Sequence, residues 1–420
     1  MKFSKSAFFL ILAAMITAWG CDLEENPHGF TSSENFYESR EDATSAIAYA
    51  YAIMGDIEYY PRSYWLVNTV TTEEFTLKPD APISQHNLDQ LRPNPNNDEL
   101  TNTFRYAYIG INRANYVISE VPEITSMDST YRDQVVGEAY FLRALHHFNL
   151  VRLFGDVPMH TSKVDQIENV SSPIVAKAKI YEQIISDLET ASDKMDELTY
   201  RHGRANVVAA WGLLAKVHLF MASAADNDVP GYDFVTDVQG HYDDAATWAS
   251  KVMNDQSRFY FDPDLKHIFS MEAEDGPERI FNISMNREGE QEGMYSKQPL
   301  FVIPYIDGGT INLMDGTSVP SGFDHVWVEI PFYNSFREDD KRRTELMVDS
   351  VVVSGDTLSY QGGGLDRPFT RKILDPNQEG QQTGYDYPVM RYSDILLVYA
   401  EAEGPSSQGY QAVNKVRQRA

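Results

Sequence analysis

The sequence is poor in cysteine and in positive charge, and it has few apolar runs of any length. Cys21 is its one cysteine, so an intramolecular disulfide is excluded and packing must hold the fold together. Lys and Arg number 35 against 62 Asp and Glu, a formal net charge of −27 over 420 residues. Such an excess repels phosphate backbones and anionic lipid surfaces, which argues against nucleic acid as a partner. Gly362, Gly363 and Gly364 lack the Lys-Ser/Thr and following helix of a phosphate loop and read as a turn. No Ser/His/Asp arrangement stands out, and no cofactor or metal motif is expected.

Aromatic residues are plentiful. Tyr 25, Phe 21 and Trp 5 make 12% of the chain, and many of the tyrosines fall in segments without helical pattern. Flat amphipathic rings in loops suit stacking against sugar faces, although tyrosine also packs well in cores. The N-terminus carries Lys2 and Lys5, then the apolar stretch Ala7–Trp19, then Ala18 and Gly20 ahead of Cys21. That stretch is shorter than the roughly 20 residues needed to span a bilayer, so residues 1–20 read as a signal peptide. A sole cysteine directly after it reads as a lipid attachment site, although Ala18 and Trp19 depart from the usual sequence before such a cysteine. The lipid would supply membrane attachment, since no other segment is expected to be long and apolar enough to span.

Helical periodicity dominates the first half. Ser39–Met54, Glu99–Val121, Thr130–Phe154, Ala176–Met195 and Ala205–Ala224 read as helices, followed by His241–Asn254 and a terminal pair, Tyr392–Glu403 and Tyr410–Arg419. Polar joints, Asp80–Asn97 and Ser162–Pro173, separate the early ones. From Phe259 to Pro388 the pattern changes to Gly/Pro-rich loops with short β-like runs at Arg279–Ser284 and Val348–Val353. Long loops inside a compact protein are commonly functional.

The most sharply patterned segment is GEAYFLRALHHFNLVRLFGDVPMHT, Gly137–Thr161. Phe141, Ala144, Leu145 and Phe148 share one face, flanked by Tyr140 and Val151, and form a core stripe. Adjacent residues on a helix diverge by about 100°, so His146 and His147 cannot grip one ion together. Glu138 lies two turns away, about 12 Å along the axis. Gly155 and Pro158 end the helix, and Arg152 suits its negative end. A scaffold role accounts for every feature.

This segment resembles the signature helix and turn of the SusD/RagB family. Tyr108–Asn115 resembles the family's helix with the pattern Y…I…AN, and Arg204–Ala222 the next helical hairpin. Tyr387–Ala402 resembles the C-terminal motif, with Asn414–Ala420 as its sequel. These matches lie in order along nearly the whole chain. The resemblance implies a mainly α fold, a tetratricopeptide-like scaffold of helical hairpins with long loops and a few short strands. An N-terminal helical region at 21–225 and a loop-rich C-terminal region at 226–420 would follow. The family's chain usually runs beyond the last motif, which implies a truncated C-terminal region here. Its members are outer-membrane surface lipoproteins that cap a SusC-like TonB-dependent transporter and capture nutrients, commonly oligosaccharides, without cleaving them. The acidic Asp22–Glu25 resembles surface-export signals of such lipoproteins. Where many relatives carry a tryptophan, this chain has Ile83–Asn87, so sugar specificity does not transfer.

Two loop regions supply the expected ligand contacts. The first holds Tyr59, Tyr60, Arg62, Tyr64 and Trp65, then Glu73, His86 and Asn87. The second holds Tyr305, Phe323, His325 and Trp327. Rings of this kind cover pyranose faces, while carboxylate, amide and imidazole groups bond hydroxyls. The rival reading is a glycoside hydrolase drawing on Glu73–Glu74, Glu272 with Glu274, or Asp339–Asp340, which requires two carboxyls about 5–9.5 Å apart across the bond. A third is a purely structural assembly protein built from helical repeats.

Overall fold

The computed structural model describes residues 36–166, 168, 170–195, 201–255, 258–286, 296–307 and 309–420. The leader and Cys21 lie outside the described residues.

Polar caps fix where the helices start. Ser39 and Asp42 form a capping box ahead of α1, Arg40–Ala52. Asn97 accepts from two amides of α2, Asp98–Glu120, and Asp128 accepts from Tyr131 at the head of α3, Ser129–Phe154. After α4, Lys177–Lys194, Asn206 caps α5, Val207–Asp226, and Asp237 caps α6, Val238–Asn254. Each such cap stabilises its helix by about 1 kcal/mol. Gly155, at φ 71°, stops α3 in the left-handed region that favours glycine. From α2 onward each helix packs on the next through α6. The chain then leaves the stack and returns with α7, Tyr392–Glu403, which packs on α6 and carries α8, Ser407–Arg419. The expected boundary at 225 lies in the last turn of α5.

Two expectations about these helices are corrected. On α3, every side chain from Gln134 to Val151 except Tyr140 is buried, so the helix is enclosed on all sides rather than along one stripe. Its neighbours α1, α2, α4 and α5 supply the enclosure. By length and composition α5 is apolar enough to cross a membrane, contrary to expectation, yet most of it is buried among its neighbours, as in the core helix of a globular fold.

Close approach depends on two glycines. A Cβ on Gly110 of α2 would lie 2.3 Å from His146 Nε2, and one on Gly212 of α5 would lie 2.3 Å from Met390 Sδ. The first lets α2 meet the buried histidine on α3. The second seats the loop-rich region on the stack. A buried ion pair locks three helices together: Arg143 reaches both oxygens of Asp187 on α4 (2.8 and 2.6 Å) and donates to Asn115 Oδ1 on α2 at 2.8 Å.

The loop-rich region is built from short antiparallel pairs. In chain order its strands are β1, Phe75–Leu77; β2, Arg279–Ile283; β3, Thr310–Leu313; β4, Ser318–Pro320; β5, Val326–Val328; β6, Ser350–Val353; β7, Asp356–Ser359; and β8, Tyr387–Arg391. One sheet has the order β7-β6-β3-β4, while β1 pairs with β5 and β2 with β8. The expected run Val348–Val353 divides: Met347–Val348 pairs with Phe369–Thr370, and β6 joins the sheet. Phe281 of β2 meets Phe141 of α3 edge-on at 5.0 Å, fastening β2–β8 to the helices. The joint Asp80–Asn97, read as a polar link between helices, contains the helix Ile83–Asp89. Amides of Gln85 and His86 bond the Pro82 carbonyl, and Leu88 buries its side chain beside Trp65 and Leu77.

Candidate ligand-binding site

The two aromatic segments, some 240 residues apart in sequence, meet through β1 and β5. Thr76 stands opposite Trp327, with Phe75 opposite Val328 and Leu77 opposite Val326. Flanking bonds extend the pairing, from Lys78 N to His325 O (3.1 Å) and from Glu329 N to Glu74 O (2.9 Å). Beneath it lies a small apolar cluster of Trp65, Leu66, Val67, Val70, Leu77, Leu88, Val302 and Val326. Phe301 bridges this cluster to the surface, 5.8 Å from the Trp65 ring, 5.8 Å from Phe323 and 5.5 Å from His325.

Tyr60, Tyr64 and Trp65, expected as ligand contacts, are core residues. Tyr60 is 1% exposed, Tyr64 8% and Trp65 9%, so none offers a ring face to a ligand. The segment Tyr60–Tyr64 forms a π-helical turn that drives its tyrosines into the stack against α3. Asn149 donates to Tyr60 Oη (2.5 Å) and accepts from Tyr64 Oη (2.8 Å), while Arg152 donates to Tyr64 Oη (2.8 Å). Tyr59 Oη lies 3.0 Å from His146 Nδ1. Burial pushes the Tyr59 and Tyr60 phenols well above their ordinary value, so both stay neutral. Polar groups of α3, His146, Asn149 and Arg152, thus hold this turn in place.

A buried polar chain ties the loop face to the scaffold. Glu99, 1% exposed, accepts from Arg62 Nη2 (3.1 Å), Ser63 Oγ (2.7 Å) and Gln85 Nε2 (2.8 Å). Gln85 Oε1 in turn meets His325 Nε2 at 2.6 Å. Because the Gln85 amide nitrogen is committed to the Glu99 carboxylate, its oxygen is the acceptor and His325 must carry its proton on Nε2. Burial, reinforced by the Lys78 charge, lowers the His325 pKa to about 4, which keeps the ring neutral near pH 7. Neither Glu99 nor Gln85 was singled out in the sequence, because nothing local marks a buried carboxylate whose three donors come from two other segments.

The remaining expected residues reach the surface. Trp327 is half-buried, its Nε1 donating to Asp324 Oδ1 at 2.8 Å and the Arg367 guanidinium lying 5.1 Å from its ring centroid. Asp324 adopts φ 53°, a left-handed conformation that an Asp tolerates better than most residues. Burial raises its carboxyl pKa against the opposing hydrogen bond from Trp327. Phe323 is half-buried, and Tyr305 is 66% exposed on a strip that runs beside residues 321–325 through bonds such as Gly322 N to Pro304 O. His86 and Asn87 are half-buried on the helix Ile83–Asp89, and Glu73 is exposed ahead of β1. The segments flanking the β1–β5 pair thus carry three partly or largely exposed rings, a carboxylate, an imidazole, an amide and Lys78, the kinds of group a polyhydroxylated ligand requires.

Three carboxylates of the hydrolase reading, Asp339, Asp340 and Glu274, have other partners. Asp339 pairs with Arg337, and Asp340 caps the helix Lys341–Leu346 while pairing with Arg342. Burial and the neighbouring Asp386 charge raise the Glu274 pKa to about 7. Its Oε1 accepts from the Asp386 amide at 2.8 Å, and Asp386 is further held by Asn282 and His202 beside the β2–β8 pair. A separate cavity of about 800 Å³ lies between α2 and residues 158–172, lined by Tyr49, Phe104, Tyr108, Tyr116, Arg105 and Arg113 among others. Phe104, Tyr108 and Tyr116 recur at multiples of four, a stripe visible in the sequence but read there only as a helix pattern.

Comparison with known proteins follows the same lines. A family model described as "Starch-binding associating with outer membrane" matches residues 24–219, and one described as "SusD family" matches residues 354–420. A SusD-like protein of Formosa agariphila is 26% identical over 446 residues, covering 100% of this chain and 82% of its own. Among solved structures, a laminarin binding SusD-like protein superposes with a TM-score of 0.74 at 20% identity, over 91% of this chain and 84% of that one. Surface glycan-binding protein A from Bacteroides thetaiotaomicron, in complex with laminarihexaose, gives 0.71 at 18% identity over 91% and 83%.

Proposed function

The chain belongs to the SusD family, and on that premise we propose that it is a cell-surface lipoprotein that binds an oligosaccharide on the β1–β5 face. The captured ligand passes to a SusC-like TonB-dependent transporter of the outer membrane. The observation that supports this reading is the pairing of Thr76 with Trp327, which brings two distant segments of the chain side by side. Trp327, Phe323 and Tyr305 supply ring faces, and His86, Asn87 and Glu73 bond hydroxyls. Arg367 beside Trp327 and the Trp327–Asp324 hydrogen bond hold the indole in one orientation before a ligand arrives. Such preorganisation lowers the entropy lost on binding.

Capture without cleavage fits Asp339 and Asp340, which serve a helix cap and ion pairs, and Glu274, which accepts from the Asp386 amide. Two of the similar solved structures are named as binding proteins, which supports the same reading. Lipid attachment at Cys21 would hold the protein at the membrane, its helical stack serving as platform and transporter contact. Titration of the protein with oligosaccharides such as laminarihexaose, followed by chromatography of the recovered sugar, tests capture. Saturable binding with the sugar recovered intact is expected. Product formation abolished by Glu274→Gln would establish an enzyme instead.

A further inference from the structure

The hairpin of α5 and α6 carries a polar cluster that the capture face does not use. On α5, otherwise largely apolar, His218 is 5% exposed. Its Nδ1 lies 2.9 Å from Nδ1 of His241 and 3.5 Å from Oδ2 of Asp244, both on α6. One ligand atom from each residue falls within 4.8 Å of the others. His241 and Asp244 stand three residues apart, so they share one helix face. The third donor comes from the adjacent helix.

A hydrogen bond between two Nδ1 atoms uses one proton and one lone pair. A cation between them uses both lone pairs, with both protons on Nε2. A tetrahedral zinc ion with bonds of 2.0–2.2 Å sets its ligand atoms about 3.3–3.6 Å apart, and the observed 2.9 and 3.5 Å separations lie close to that spacing. Two imidazoles with one carboxylate suit zinc, whereas calcium and magnesium prefer all-oxygen sites. We propose that His218, His241 and Asp244 bind a zinc ion that clips α5 to α6. The Asp244 side chain is 58% exposed, so the fourth position is reached from solvent and takes water or an outside donor. The clip sits on the helix against which α7 returns to the stack, so it braces the joint between the helices and the C-terminal segment.

The test uses the whole chain, free of any histidine tag and stripped with a chelator, titrated with Zn²⁺ and separately with Co²⁺. Saturable uptake of a single ion is expected, with cobalt absorption of a four-coordinate site and a rise in Tm under excess zinc. His241→Ala and Asp244→Ala are each expected to weaken binding at least tenfold. Because His218 is in the core, these two more exposed positions carry the test without it. Absence of binding by the unsubstituted chain, or unchanged affinity in His241→Ala, overturns the proposal.

Discussion

His146 and His147 sit side by side on α3 with no exposure, and burial lowers the pKa of both rings to about 3. An unfolded chain protonates histidine near pH 6.5, so below that pH the unfolded state takes up protons the folded state refuses. Stability therefore falls as the pH drops from about 6.5 toward 3, by about 2 kcal/mol per histidine at pH 5. Glu274 works in the opposite sense, since its raised folded pKa stabilises below about 4.5 and that gain is lost as pH rises through 7. Urea denaturation at pH 7 and pH 5 is expected to show that His147→Leu removes about 2 kcal/mol of the acid sensitivity. A second substitution tests the neighbouring contact. Gly110→Ala drives a Cβ to 2.3 Å from the His146 ring, with an expected loss of about 1–3 kcal/mol, read as a lower urea midpoint. The divergence of the two histidines was legible from helix geometry alone. Their full burial was not, because the helices that enclose α3 come from elsewhere in the chain.

At the scale of elements, α3 is pinned by Arg143, whose removal leaves Asp187 as a buried carboxylate without its cation. Arg143→Met is expected to cost about 3–5 kcal/mol, measured by chemical denaturation. The helices were legible to within a few residues because Asn97, Asp128, Asn206 and Ser406 mark their starts and apolar periodicity marks their faces. The turn Tyr60–Tyr64 was not, since aromatic and polar residues in a loop look the same whether they face solvent or partners such as Asn149 and Arg152. Trp65 and Trp327 accordingly separate. Trp65→Ala opens a cavity under the site and is expected to cost about 3–5 kcal/mol of stability, whereas Trp327→Ala is expected to leave the Tm nearly unchanged and act on binding. The zinc donors escaped the sequence for a related reason: His218 and His241 belong to separate helices and match no ligand spacing.

For the whole molecule, the family resemblance drawn from ordered motifs carried the fold. It did not carry the site, because Ile83–Asn87 departs from the family pattern and the β1–β5 pairing joins segments no local signal connects. The proposed cell-surface attachment rests on Cys21. Cys21→Ala is expected to release the protein from membranes on fractionation, and unchanged membrane association would remove the lipid anchor from the account. The central claim, oligosaccharide capture on the β1–β5 face, is tested most directly by isothermal titration across a panel of algal, plant and host oligosaccharides. The unsubstituted protein is compared with Trp327→Ala/Phe323→Ala and with Tyr108→Ala in the separate cavity. The account expects at least tenfold weaker binding, about 1.4 kcal/mol or more, in the first variant and unchanged binding in the second. Unchanged affinity in Trp327→Ala/Phe323→Ala would contradict it, and loss confined to Tyr108→Ala would move the site to the α2 cavity.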